Sequence, residues 1–143
     1  MKTALLCLAA LLALPLATTA APPTCADPCS INATSEGYVL PVATITSGST
    51  VVFTSSDIGH ATADNAVLGD SPCFLLPESP GSPSPVLTLT ISGGHLVASY
   101  TDLDGRAHNA TCNNAVALPD GGFALPYLCK IHTTMRGLLV VEP

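Results

Sequence analysis

The sequence predicts an all-β domain, built as a sandwich or small barrel of short strands. Val, Thr, Ala, Gly and Pro are abundant and Trp is absent, a composition that suits short strands and loops better than helices. Several β-branched runs are separated by turn-forming residues, and no repeat, heptad or amphipathic helix stands out. With so few aromatic residues, we expect a light core of Val, Leu, Ile and Phe.

The first twenty residues have the features of a secretory signal. Lys2 supplies a positive start, residues 4–16 form an apolar run, and residues 17–20 are small, as a cleavage site requires. The run is too short and wrongly flanked to span a membrane. We expect cleavage after Ala20, a single domain over residues 21–143, no transmembrane segment, and release outside the cell.

The predicted strands begin after a Pro- and Cys-containing entry segment that reaches Cys29. Residues 38–45 form an extended run interrupted by Pro41, and a Gly-containing turn leads to a second run at 50–54. A polar loop then ends at His60.

The second half begins with an irregular region, residues 66–85, whose Pro- and Ser-rich part suits a surface loop. Residues 86–91 and 95–101 flank Ser-Gly-Gly and are predicted to form a hairpin. After a polar segment, residues 123–129 and 138–141 are predicted as the last strands.

The cysteines predict one unpaired thiol. Of the six, Cys7 would leave with the signal, and the remaining five cannot all pair in an oxidising compartment. Cys129 lies among metal-ligand residues, so we expect it to be the free one. The alternative is that Cys129 forms a disulfide, within the chain or between two chains. The disulfide candidates are Cys25, Cys29, Cys73 and Cys112, which could pair in three ways.

The charge of the chain excludes nucleic-acid binding. Beyond the signal, the only basic residues are Arg106, Lys130 and Arg136, against ten carboxylates. Neutralisation of phosphates therefore has almost no support.

Two sequences are acceptors for N-linked sugar. Asn32 and Asn109 each begin an Asn-Ala-Thr triplet. In a secreted eukaryotic chain both would mark exposed loops.

Residues 127–141 carry the most specific chemistry. Cys129, His132 and Met135 supply a thiolate, an imidazole and a thioether, a soft set that favours copper, whereas magnesium and calcium prefer oxygen ligands. His60 would complete the two-His, one-Cys arrangement with a distant Met that is typical of blue-copper electron-transfer sites. The other histidines, His95 and His108, are interpreted as surface residues.

Residues 41–60 and 127–137 resemble the cupredoxin family. The first segment is similar to the strand, Gly turn, strand and polar loop that lead to the first histidine ligand. The Cys-x2-His-x2-Met-x-Gly spacing of the second is closest to the amicyanin type. The resemblance implies a Greek-key β-sandwich with inserted loops and one type 1 copper ion. It implies His60, Cys129 and His132 as near-planar ligands and Met135 as the weak axial ligand.

The chain also departs from the family pattern. Ile131 stands where many members carry Pro, so its N–H is a candidate donor to the Cys129 sulfur, which would raise the reduction potential. Ala61 stands where members often have an Asn that ties the ligand loops together, a role that Asp64 or Asn65 could take over. The Pro/Ser stretch and the Cys112 region look like insertions, which a Cys73–Cys112 bridge could pin together.

The resemblance implies a monomeric, secreted one-electron carrier that docks transiently on an unknown redox protein near His132. Copper storage or delivery would use the same ligands and stays open as an alternative. A secreted interaction module, with Cys129 in a disulfide, is a third possibility. An enzyme is not expected, because the sequence has no His-x-His pairs, no Ser-His-Asp order and no paired carboxylates.

Overall fold

The computed structural model describes residues 20–66 and 70–143, and these residues form strands and loops without a helix. The predicted signal at 1–20 lies outside the described residues except for Ala20. The strands are β1 (Cys29–Thr34), β2 (Gly37–Tyr38), β3 (Val42–Thr46), β4 (Thr50–Ser55), β5 (His60–Asp64), β6 (Leu75–Glu78), β7 (Leu87–Ser92), β8 (His95–Thr101), β9 (Ala107–Thr111), β10 (Val116–Ala117), β11 (Phe123–Cys129) and β12 (Arg136–Glu142).

Two mixed sheets form a sandwich. One has the order β2-β1-β4-β7-β8-β9, and the other has the order β3-β12-β11-β5-β6, with β10 beside β11. The pairs β1–β4 and β3–β12 are parallel, and the remaining pairs are antiparallel. The chain crosses between the sheets after β2, β3, β4, β6 and β9, so that strands distant in sequence become neighbours, as in Greek-key folds. The predicted all-β sandwich is confirmed.

The core lies between the sheets and is made by alternating positions of the strands. Along β4, for example, Val51, Phe53 and Ser55 are buried while their neighbours are partly exposed. The rings of Tyr38 and Phe53 meet Tyr127 edge to face, at centroid distances of 4.9 and 5.4 Å. These three rings pack together between β2, β4 and β11.

The sequence pattern does not predict β1, β5, β6, β9 or the two-residue β10, and β6 lies within residues 66–85, which were expected to be irregular. β1 lies where an entry segment and a loop were expected, and it pairs in parallel with β4 over five residues. β9 lies within the segment expected to be only polar, and most of its residues are exposed. Both acceptor residues, Asn32 in β1 and Asn109 in β9, therefore lie in strands, and the prediction that they lie in loops is wrong. β9 has no alternating apolar pattern, because it is held by the edge of β8 and not by core packing.

One disulfide joins residues that are close in sequence, and the other joins distant segments. Cys25 pairs with Cys29, and Cys73 pairs with Cys112, which leaves Cys129 as the free cysteine among the described residues. The second bridge connects the segment before β6 to the segment after β9, and therefore links the edges of the two sheets.

Within residues 20–66 and 70–143, no helix has the length and apolar character that a bilayer span requires.

Candidate metal centre

β5 places His60 at one end of the sandwich. This residue opens the strand, is only 2% exposed, and lies opposite Glu78 of β6. On its other side β5 pairs with β11, where Thr62 faces Cys129. Because β5 is flanked by a strand on each side, the backbone that carries His60 is fixed by two ladders of hydrogen bonds.

The loop after β11 brings Cys129 and His132 to the same end. The N–H of Met135 donates to the His132 carbonyl at 2.8 Å, and the Cys129 N–H donates to the Met135 carbonyl at 3.1 Å. The Lys130 N–H donates to the Ala61 carbonyl at 2.8 Å, which ties this loop to β5. The ligand loop is thus closed by its own backbone and anchored to the strand that carries His60.

Three potential ligand atoms converge at this point. The Cys129 Sγ lies 3.7 Å from Nδ1 of His60 and 3.7 Å from Nδ1 of His132, and the two nitrogens are 3.3 Å apart. His60 and Cys129 are buried, whereas His132 is half-buried. This is the group of His, Cys or acidic residues that could hold a metal ion within the described residues.

The triangle formed by these atoms fits a first-row metal ion. One point within it lies about 2.1 Å from all three atoms, compared with about 2.0–2.3 Å for bonds from zinc to imidazole nitrogen and thiolate sulfur. Two imidazoles and one thiolate form the equatorial set that blue-copper sites use. The residues present therefore fit a copper ion, and His95 and His108 do not take part.

Met135 is buried at the end of the ligand loop and packs with the core. Its backbone closes the loop, as described above. Its role as the weak axial ligand stays a prediction.

The hydrogen bonds around the sulfur differ from the expected ones. The backbone donor to the Cys129 Sγ is the N–H of His132, at 3.4 Å, and not that of Ile131. Asp64 does not tie the ligand loops together, because its carboxylate accepts from the Cys73 N–H at 2.8 Å and from the Asn114 side chain at 3.0 Å. Asp64 instead holds the two inserted segments that the second disulfide joins.

The sequence analysis missed Asp57, which lies beside the ligand loops. Its Oδ1 is 3.8 Å from Nε2 of His60. Burial lowers the pKa of His60, with a smaller lowering from nearby His132, and Asp57 opposes both effects. Its place in the loop three residues before His60 was the available sequence signal.

A buried polar chain runs next to the site. The Thr62 hydroxyl donates to Oε1 of Glu78 at 2.8 Å, and the Tyr38 hydroxyl lies 2.9 Å from the same Thr62 oxygen. Burial raises the pKa of Glu78 to about 7, although the hydrogen bonds from Thr62 act in the opposite direction. The sequence held no signal for this chain, since Glu78 stands in a Pro- and Ser-rich stretch.

Two apolar side chains in the loops that carry the ligands are exposed. Ile131 is 60% exposed and Ile58, from the loop before His60, is 38% exposed. His108 lies elsewhere, on β9, where its Nε2 is 2.7 Å from Oδ2 of Asp102 and its ring stacks on Tyr100.

The described residues form a cupredoxin-like fold. The sandwich places His60 on β5, Cys129 at the end of β11, and His132 and Met135 on the loop between β11 and β12. No protein-family model and no curated protein sequence matches the chain.

Several solved structures are similar in fold. A reduced amicyanin variant is 19% identical with a TM-score of 0.44, over 79% of this chain and 80% of that one. A purple cupredoxin from Nitrosopumilus maritimus is 14% identical with a TM-score of 0.42, over 79% of this chain and 98% of that one. The copper-containing nitrite reductase from Thermus scotoductus is 18% identical with a TM-score of 0.41. That match covers 80% of this chain, which spans only 22% of the reductase.

Proposed function

We propose that the chain is a secreted type 1 copper protein that carries single electrons. The observation that supports this most directly is the convergence of Nδ1 of His60, Sγ of Cys129 and Nδ1 of His132 around one point. Copper bound there would supply a one-electron couple between Cu(II) and Cu(I). The electron carrier turns over no substrate, and the chain is proposed to act as a monomer.

The ligand residues are held in a way that suits electron transfer. Two of them lie on strands, and the third lies on a loop closed by backbone hydrogen bonds. Side chains fixed in this way keep nearly the same positions when the charge of a bound ion changes. Little of the protein must then rearrange with each electron, which is the main requirement for a fast carrier.

His132 is the proposed exit for the electron. Its ring is half-buried, whereas His60 and Cys129 are buried, so His132 is the ligand nearest to solvent. Ile131, the residue before His132 in the chain, is 60% exposed and supplies an apolar side chain at this exit. Such a side chain suits a small, transient contact with a redox protein, which would be weak enough to separate after each transfer.

Two alternative functions would involve the same residues. Copper storage or delivery would use the same three side chains, and it is distinguished by how the metal is held and released. An interaction module with Cys129 in a disulfide has less support, because the other four described cysteines pair with each other and Cys129 is free.

The test is to purify residues 21–143, add Cu(II), and record the intense thiolate-to-copper charge-transfer band. We expect this band, reversible one-electron voltammetry, and loss of the band in Cys129→Ser. The matched control is His108→Ala, which should keep the band, compared with His132→Ala, which should lose it. A colourless protein would overturn the proposal, and a copper ion that is bound but cannot be reversibly reduced would favour storage or delivery.

We also propose that the secreted chain carries an N-linked sugar at Asn109. Asn109 is exposed on the edge strand β9, where its side-chain amide makes one hydrogen bond, a donation to the Ser99 hydroxyl at 3.2 Å. Asn32 is half-buried, and its amide accepts from Thr54 at 3.2 Å and donates to Ser56 at 3.4 Å. Expression in a eukaryotic secretory host should give a mass increase that Asn109→Gln removes and Asn32→Gln retains. The opposite pattern would contradict the assignment.

A further inference from the structure

The two ring nitrogens of His60 have different surroundings. Nδ1 points to the Cys129 Sγ and the His132 ring, where a metal ion would bind. Nε2 faces away from that point and is buried without a hydrogen-bond partner. The carboxylate of Asp57 is next to it, with Oδ1 at 3.8 Å. That distance is too long for a hydrogen bond but can close with a small movement.

The Asp57 carboxylate is held in place by backbone donors. Its Oδ2 accepts from the Ser35 N–H at 2.7 Å, and its Oδ1 accepts from the Ile58 N–H at 2.8 Å. Ser35 belongs to the turn between β1 and β2, in the other sheet. The carboxylate therefore connects this turn to the loop that leads into His60, and the two backbone donors hold its orientation although its side chain is 35% exposed.

We propose that Asp57 is a positioning residue that keeps the His60 proton on Nε2 and leaves Nδ1 free for the metal ion. A neutral imidazole carries one N–H, so a metal ion on Nδ1 requires the proton on Nε2. A buried N–H without an acceptor is costly, and Asp57 is the carboxylate placed to receive it. Carboxylates that face the second nitrogen of a metal-binding histidine fix its orientation and raise its basicity.

This inference rests on the proposed copper site for its effect on the metal, but the position of the proton does not depend on copper. A carboxylate behind His60 increases electron donation from Nδ1, which stabilises Cu(II) more than Cu(I). Asp57→Asn should therefore weaken Cu(II) binding relative to Cu(I) binding by about tenfold. For one electron, a tenfold change corresponds to a potential higher by about 59 mV.

The control variant is Glu36→Gln. Glu36 lies in the same β1–β2 turn and is exposed, and the substitution removes the same charge without touching His60. A general effect of net charge would appear in both variants. An effect of the contact with His60 would appear in Asp57→Asn alone.

The first measurement is long-range ¹H–¹⁵N correlation NMR of the histidine rings in the metal-free protein. We expect the His60 proton on Nε2 in the wild type and in Glu36→Gln, and a mixture of tautomers in Asp57→Asn. The second is competition titration with Cu(II) and with Cu(I) chelators, which gives the ratio of affinities without electron transfer.

Three results would overturn the inference. They are a His60 proton on Nδ1 in the wild type, an unchanged tautomer in Asp57→Asn, or the same affinity ratio in both variants. If Asp57→Asn does not fold, the His60 tautomer of the wild-type protein still tests the inference, because a proton on Nδ1 would overturn it. A blue protein whose two variants behave alike would overturn this inference and leave the electron-carrier proposal standing. A colourless protein with the expected tautomers would overturn the electron-carrier proposal and leave the inference about the His60 proton standing.

Discussion

Gly137 lies opposite Tyr127 in the β11–β12 ladder, and the Tyr127 ring covers it. A Cβ added at Gly137 would overlap Cζ and the hydroxyl oxygen of that ring and would lie 2.6 Å from Cε1. We therefore expect Gly137→Ala to displace the ring. Because Gly137 follows Met135 by two residues, the ligand loop should be disturbed as well.

The cost can be worked from what surrounds the Tyr127 ring. Tyr127 is 1% exposed, and Tyr38 and Phe53 stand at centroid distances of 4.9 and 5.4 Å, so the ring has little room to move. Overpacking of this kind costs about 1–3 kcal/mol. The hydrogen bond from the Tyr127 hydroxyl to the Leu40 carbonyl, 3.3 Å long, adds about 1 kcal/mol if it breaks. A less flexible unfolded chain recovers about 0.4–1 kcal/mol, so we expect a net loss of about 1–4 kcal/mol.

The measurement is urea unfolding of the metal-free protein at pH 7, followed by circular dichroism. Gly59→Ala is the matched control, because the nearest atom to its added Cβ is the Glu78 carbonyl oxygen at 3.9 Å, an ordinary contact. Its free energy of unfolding should change by less than about 1 kcal/mol. In a Tyr127→Leu background, Gly137→Ala should cost less than in the wild type, since the far ring atoms are gone.

Equal stability of Gly137→Ala and Gly59→Ala would refute the reasoning. The same conclusion would follow if Gly137→Ala cost as much in the Tyr127→Leu background as in the wild type. In either case the ring would not be the cause of the loss.

Two further predictions concern the disulfides and a buried acid. Replacing Cys73 and Cys112 by Ala opens a loop with a sequence separation of 39 and should lower the free energy of unfolding by about 4 kcal/mol. Replacing Cys25 and Cys29, with a separation of 4, should lower it by about 2 kcal/mol. Equal losses for the two variants in urea unfolding would contradict this prediction. The pKa of Glu78 is raised from 4.5 to about 7 in the folded chain, so its protonated form stabilises the fold fully below pH 4.5, and this stabilisation is lost as the pH rises through 7. Glu78→Gln should match the wild type at pH 4 and exceed it by at most about 3 kcal/mol at pH 8, and a difference independent of pH would contradict the assignment.

Much of the candidate site was predictable, because its signals are the spacing of nearby residues and the number of cysteines. Cys129, His132 and Met135 lie within seven residues, and their spacing is visible without a fold. That Cys129 stays free was expected from an odd number of cysteines and from its neighbours, and the structure agrees. His60 was found by its place after a strand-like run.

Other features could not be predicted, because they depend on contacts between distant segments. Four cysteines can pair in three ways, and nothing in their spacing selects among these. Strand β9 has no apolar alternation, since it is held by β8 alone. The backbone donor to the Cys129 sulfur was assigned to Ile131, but the turn of the loop places the His132 N–H there instead.

The sequence by itself determined which groups are available, namely a set of soft metal ligands, one cysteine without a pairing partner, and runs of strand-forming residues. Those properties belong to single residues and short segments. Only the tertiary structure decided that His60 meets Cys129 and His132 across 69 and 72 residues, and that Asp57 faces the other side of the His60 ring. The physical reason is that ligand geometry is set by strand register and sheet order, which arise from packing of the whole sandwich.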